Sequence, residues 1–230
     1  MIDQKKGEPF FYFVGLLLIA IVIGGFLPAA FSLPGGPLSL PLLYHVHGLV
    51  FLSWFILFCF QARLIQRENR KLHRILGKSS LGLAIAMLCL SYFMIRAGYA
   101  NPEFSIGGNG PAESVMYPVT DMVNFSIVFA LGYLNRKNSN AHKRLMLLAG
   151  ILILDPAVAR LIQNIGAPFP LIPLVELCLF ALLVVYDLIK LGKPHWSSLL
   201  GLTLFFLAMA AKLFLAEQAG WLEWVDILFG

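Results

Sequence analysis

Long runs of apolar residues, separated by short polar segments, repeat along the whole chain. Most of these runs reach the roughly 20 residues that an α-helix needs to cross the ~30 Å hydrocarbon core of a bilayer. They lack the strict alternation of membrane-spanning strands, and lipid offers the backbone no hydrogen-bond partners, so helices are predicted. The pattern predicts seven spans, at about residues 9–32, 42–64, 78–97, 116–135, 144–165, 169–190 and 196–216.

The composition agrees with a polytopic membrane protein. Hydrophobic residues make up 59% of the chain and charged residues 13%, and the mean hydropathy is +0.82, which is too apolar for a soluble domain. The first apolar run lacks a small-residue cleavage site, so we expect it to be retained as a helix. No repeat or low-complexity linker divides the sequence. It therefore predicts an all-α seven-helix bundle that forms a single transmembrane domain over residues 1–230.

The basic residues predict the orientation. All but three of the 17 lysines and arginines fall on one side of the membrane if the N-terminus is cytoplasmic; the exceptions are Arg96, Arg160 and Lys212. The C-terminus is then external, and a bacterial inner membrane is the expected location. This topology, with contacts to anionic lipids, accounts for the net charge of +5. The charge gives no reason to expect a nucleic-acid partner.

Four polar residues are predicted to share the cytoplasmic level of the bundle. His73, His142 and His195 begin spans three, five and seven, and Asp187 ends span six. Two imidazoles from neighbouring helices can ligate a haem iron axially, whereas three imidazoles with a carboxylate suit zinc or iron. The alternative is that these residues are interfacial and bind water and lipid phosphates beside the neighbouring cations.

A second polar group is predicted in the outer half of the bundle. Intramembrane charges each cost about 2.5–3.5 kcal/mol even on a lenient scale, so they should face one another. We expect Arg160 to pair with Glu176 or Asp121. The group offers two candidate sites: a metal site formed by His45, His47, Asp121 and Glu176, and a solute site formed by Asp155, Arg160 and Glu176. On an ideal helix His47 shares one face with Trp54 and Gln61, so it is the better inward candidate of the two histidines.

Several short motifs together resemble a family of bacterial multi-pass membrane proteins without an established activity. They extend over nearly the whole chain: His45-Val46-His47-Gly48, Trp54, Gln61, Leu72-His73-Arg74-Ile75-Leu76-Gly77, Val119-Thr120-Asp121-Met122, His142-Lys143-Arg144-Leu145-Met146, Ala159-Arg160 and Pro194-His195. The resemblance implies a multi-span helical fold and leaves the activity open.

A more distant resemblance connects the histidine pattern to the two-haem transmembrane cytochromes b. In that family the third and fifth spans ligate the haem nearer the cytoplasm, and His73 and His142 match that pairing in order and side. His47 matches the ligand of the second span, but span four has Asp121 and Met122 where that family has a histidine. His195 has no counterpart there.

Three functional hypotheses follow. The first is a histidine-ligated redox centre, in its sharpest form a b-type haem between His73 and His142, that serves electron transfer or reduction with a redox partner or small-molecule substrate. The second is a zinc-dependent membrane hydrolase similar in span number and orientation to the seven-span ceramidase and receptor-like hydrolases, although the chain lacks their His-x-x-x-His element. The third is a cofactor-free carrier of a small anionic or protonated solute.

The predicted orientation can be measured with topology reporters. A reporter fused after Gly230 is expected to be external, and one inserted near Asn138 is expected to be cytoplasmic, because the basic residues beside Asn138 favour that side. A cytoplasmic reporter after Gly230 would contradict the count of seven spans and the shared level of the three cytoplasmic histidines.

Overall fold

A computed structural model describes residues 8–230, and every regular element in that range is a helix. The longer elements, in chain order, are α1 (Pro9–Phe31), α2 (Leu42–Gln66), α3 (Arg70–Tyr99), α4 (Pro111–Ser114), α5 (Met116–Leu134), α6 (Ser139–Ile151), α7 (Asp155–Asn164), α8 (Leu171–Leu191), α9 (Trp196–Phe214) and α10 (Ala219–Phe229). A short 3-10 helix, Pro37–Ser39, precedes α2. The predicted all-α class is confirmed for the part of the chain that the structure describes.

Six segments within residues 8–230 are long and apolar enough to cross a membrane: α1, α2, α3, α4 with α5, α8 and α9. The predicted fifth span is divided, because α6 ends at Ile151 and α7 begins at Asp155. Pro156 lies in the first turn of α7, where it has no N–H to donate to the preceding turn, and this favours a new helix start. The bent pair α6 and α7 brings the number of spans to seven if it crosses as one unit.

The chain divides into two compact units. The first comprises Met1–Met87, of which residues 8–87 are described, together with Leu154–Glu176. The second comprises Leu88–Ile153 and Leu177–Gly230. Helices α3 and α8 contribute residues to both units.

In the first unit, α1 packs against α2 and α7. The contact with α7 is a backbone contact, because a Cβ atom at Gly25 would collide with the carbonyl oxygen of Ala157. Small residues of this kind let membrane helices approach closely. The side-chain amide of Asn164 donates to the carbonyls of Gly24 and Gly25, at 3.1 and 2.9 Å, and fixes the end of α7 on α1.

In the second unit, α5 and α6 pack against each other and both contact α9. The C-terminal helix α10 returns to this unit through a hydrophobic cluster that contains Ile95, Val115, Val225 and Phe229. The indole Nε1 of Trp221 donates to the carbonyl of Ala112 at 3.0 Å. The second unit thus contains α6, α9 and the greater part of α8. These helices carry most of the polar residues described next.

Candidate functional site

A buried ion pair joins α6 to α8 in the second unit. The guanidinium of Arg144 is fully buried; its Nε donates to Asp187 Oδ1 at 2.6 Å and its Nη2 lies 2.5 Å from the same oxygen. Its Nη1 donates to the backbone carbonyl of Asn140 at 2.8 Å. The guanidinium carbon lies 5.4 Å from the centre of the Tyr186 ring. Each buried charge therefore has an opposite charge and hydrogen bonds to compensate the loss of water.

The second carboxylate oxygen of Asp187 binds α9. Its Oδ2 accepts a hydrogen bond from the hydroxyl of Ser198 at 2.6 Å and another from the backbone N–H of His195 at 2.9 Å. Asp187 thus links α6, α8 and the start of α9 at a single buried point. The structure brings Asp187 and His195 together, as their shared level in the sequence suggested.

The His195 ring caps the N-terminus of α9. Its Nδ1 accepts a hydrogen bond from the backbone N–H of Ser197 at 3.3 Å and lies 2.7 Å from the Ser197 hydroxyl. A backbone N–H can only donate, so Nδ1 carries the lone pair and Nε2 carries the proton in the neutral ring. Burial lowers the pKa of His195, the nearby charges of Arg144 and Lys143 lower it further, and Asp187 opposes this change.

The His142 ring has the opposite tautomer. Its Nδ1 lies 2.9 Å from the carbonyl oxygen of Gly132, and because a carbonyl can only accept, Nδ1 carries the proton. Gly132 belongs to the last turn of α5, where backbone carbonyls lack partners within the helix. A Cβ atom at Gly132 would meet Met146 and Leu145, so the glycine lets α6 approach α5. The lone pair of the neutral His142 ring is therefore on Nε2.

His73 lies in the first unit, in the first turn of α3, with its side chain half-buried. Its backbone N–H donates to the carbonyl of Asn69 at 3.1 Å, and the Asn69 side chain accepts from the N–H of Leu72 at 3.1 Å. The asparagine caps α3 and fixes the backbone from which the His73 ring projects.

A second buried ion pair of the second unit involves Asp121. Lys212 Nζ lies 3.4 Å from Asp121 Oδ1 and 4.9 Å from the centre of the Tyr117 ring. The amide of Asn124, one turn from Asp121, donates to the carbonyl of Leu204 at 3.4 Å. Lys212 was an exception to the orientation pattern, and the pair explains its position within a span.

Arg160 has a different environment, in the first unit. Its Nη1 donates to the carbonyl of Pro156 at 3.1 Å, and its guanidinium carbon lies 4.6 Å from the centre of the Phe26 ring. No carboxylate of residues 8–230 forms an ion pair with it. The expected pairs with Glu176 and Asp121 are therefore not formed: Glu176 is buried in the first unit, and Asp121 pairs with Lys212 in the second.

The other residues predicted for the outer half, His45, His47 and Asp155, belong to the first unit. The His47 ring stacks on Phe51 with the ring centres 4.1 Å apart, and His45 and Asp155 are half-buried. Across the described range, no three His, Cys, Asp or Glu side chains gather as a metal-binding group. The sets proposed for zinc or iron thus have no counterpart among these residues.

Comparisons with protein-family models, curated proteins and solved structures find no match to this chain.

Among the residues of these clusters that were not predicted as site residues are Arg144, Ser198, Lys212 and Gly132. Arg144 was used as a marker of the cytoplasmic face and as part of the His142–Met146 motif, because hydropathy and charge asymmetry do not distinguish a buried arginine from an exposed one. One feature of the sequence could have indicated a buried Arg144. It lies four residues after Asn140, one helical turn away, and Asp187 is predicted at the same level as a possible partner.

The lowered pKa of His195 predicts a pH dependence of stability. The fold favours the neutral ring, so below the ordinary value of 6.5 the unfolded chain binds more protons than the folded one and stability falls. We expect the thermal midpoint in detergent to decrease between about pH 7.5 and about pH 5.5. His195→Asn keeps a hydrogen-bond acceptor at the helix cap, and this acceptor does not titrate. The part of the decrease in thermal midpoint that is due to His195 should therefore be absent in this variant.

His195→Ala is the matched control, since it removes the cap and should cost about 1 kcal/mol at neutral pH. If the thermal midpoint of the wild type and that of His195→Asn depend on pH in the same way, protonation of His195 does not cause the decrease and the prediction is wrong.

Proposed function

We propose that this chain is a seven-span protein of the bacterial inner membrane, with a cytoplasmic N-terminus, that binds a b-type haem and serves electron transfer or reduction. The observation that supports this proposal is the hydrogen bond from His142 Nδ1 to the carbonyl of Gly132. Haem supplies one-electron redox chemistry when it is bound, and the part assigned to this chain is to hold and orient it.

The His142 tautomer fits axial ligation. A haem iron takes a lone pair of a neutral imidazole, and ligating histidines usually donate their other N–H to a carbonyl or carboxylate, which fixes the ring and raises its basicity. His142 has this arrangement, with Nδ1 as donor and Nε2 as the atom that bears the lone pair. The backbone of α5 therefore acts as the orienting partner.

His195 fits ligation less well than His142. The lone pair of its Nδ1 is used to cap α9, and its Nε2 carries the proton. Ligation through either atom would require the ring to lose the cap or a proton. Of the two cytoplasmic-level histidines in the second unit, we therefore assign the ligand role to His142 and a structural role to His195.

His73 would be the second residue to hold the haem, and this assignment rests on the sequence pattern alone. His73 begins span three as His142 begins span five, so both belong to the cytoplasmic level under the proposed topology. The Asn69 cap gives the His73 backbone a fixed start. The electron donor or acceptor would be a membrane redox partner or a small molecule that reaches this face.

The proposal predicts a haem spectrum. Protein purified in mild detergent from haem-replete cells should show a Soret band and a sharp α band on reduction. His142→Ala and His73→Ala should each lose the bis-histidine spectrum, because one axial ligand is removed. The matched control is His195→Asn, which should keep the spectrum.

A folded, colourless wild-type protein would contradict the proposal, and stoichiometric zinc in that preparation would favour the hydrolase instead. Loss of the spectrum in His195→Asn, together with its retention in His142→Ala, would contradict the assignment of the ligand.

A further inference from the structure

Arg160, in α7 of the first unit, lacks among the described residues the carboxylate partner that two buried cations of the second unit have. Arg144 is paired with Asp187, and Lys212 is paired with Asp121, but Arg160 has no carboxylate partner within residues 8–230. A guanidinium stays protonated in proteins, so Arg160 cannot relieve its charge by losing a proton. An arginine without a carboxylate partner in a membrane segment is costly unless its donors reach other polar groups, such as those of the headgroup region or of a bound anion.

Three helices of the first unit place their residues at one level around this charge. Arg160 is four residues before the end of α7, Phe26 is five before the end of α1, and His47 is five after the start of α2. At 1.5 Å per residue each lies within about 8 Å of its helix end. The guanidinium is close enough to His47 and Tyr44 for an electrostatic interaction. Under the proposed topology this level is near the headgroup region of a bilayer.

The donors at this level are only partly used. One N–H of Arg160 binds the Pro156 carbonyl and one face of the guanidinium lies against Phe26, while the side chain as a whole remains exposed. The Nδ1 atom of His47 is buried and makes no hydrogen bond to any described residue. A planar guanidinium with several unused donors, within electrostatic range of an imidazole that can supply one more, matches the oxygens of a phosphate.

We propose that Arg160 and His47 form a binding site for a phosphate group at one end of the first unit, which is the outer end under the proposed topology. The Arg160 guanidinium binds two phosphate oxygens through its free N–H groups, and His47 donates to a third. Phe26 holds the guanidinium plane by a cation–π contact. The phosphate belongs either to a phospholipid headgroup or to a soluble anion, and the site is independent of the haem proposal.

The test uses the full chain in a phosphate-free maltoside detergent. One arm measures the thermal midpoint with inorganic phosphate against chloride at equal ionic strength. The other arm compares short-chain phosphatidylglycerol with the corresponding diacylglycerol, which lacks the phosphate. We expect phosphate or phosphatidylglycerol to raise the midpoint of the wild type, and Arg160→Gln and His47→Phe each to weaken the apparent affinity about tenfold or more.

Arg136→Gln is the matched control. Arg136 lies just after the end of α5; it also donates to a backbone carbonyl three residues earlier, that of Tyr133 at 3.0 Å, and also lies over an aromatic ring, at 4.9 Å from the ring centre, but it has no histidine partner. This variant should bind as the wild type does. Stabilisation by inorganic phosphate identifies a soluble anion, and stabilisation only by phosphatidylglycerol identifies a lipid headgroup.

The proposal is overturned if neither compound stabilises the wild type, or if Arg136→Gln weakens binding as much as Arg160→Gln. If Arg160→Gln does not fold, the result for His47→Phe tests the proposal. A His47→Phe variant that binds phosphate or phosphatidylglycerol as tightly as the wild type would overturn the two-residue site.

Discussion

A carboxylate removed from water must be supplied with donors by the protein, and Asp187 is where this constraint is met most completely. Arg144 from α6 compensates one oxygen, and the start of α9 supplies the backbone N–H of His195 and the hydroxyl of Ser198 to the other. Removal of one partner from such a buried pair typically costs about 3–5 kcal/mol, because the remaining charge stays buried. The helices of the second unit are therefore fixed together at the level where two histidines lie.

This anchoring determines what the histidines can do. Asp187 holds the His195 backbone, and the ring of His195 in turn caps α9 through Nδ1. His142 is oriented separately, by a carbonyl of α5 that has no partner within its own helix. Both contacts satisfy backbone groups at helix ends, yet they leave different atoms with the lone pair. The two histidines thus differ in tautomer because His142 contacts a carbonyl at the end of α5, whereas His195 contacts an N–H at the start of α9.

The helical class and the approximate extent of most helices were predictable from the sequence. A segment that crosses lipid must be apolar and must pair its own backbone groups, so a long apolar run indicates a helix. The fifth span was predicted without its break, since hydropathy does not register the N–H that Pro156 lacks. The proximity of Asp187 and His195 was predictable from the alternation of the spans. The partners of Arg144, Asp121 and Arg160 were not, because helix rotation and neighbours decide which charges meet.

The tautomers of His142 and His195 decide which of the two rings has a lone pair suited to ligate haem iron. They can be measured from ¹⁵N chemical shifts of histidine-labelled protein prepared without haem, with the signals assigned by His142→Asn and His195→Asn. We expect His142 to be protonated at Nδ1 with a lone pair on Nε2, and His195 to be protonated at Nε2 with a lone pair on Nδ1. A His142 ring protonated at Nε2 and bare at Nδ1 would contradict both the contact with Gly132 and the ligand role built on it.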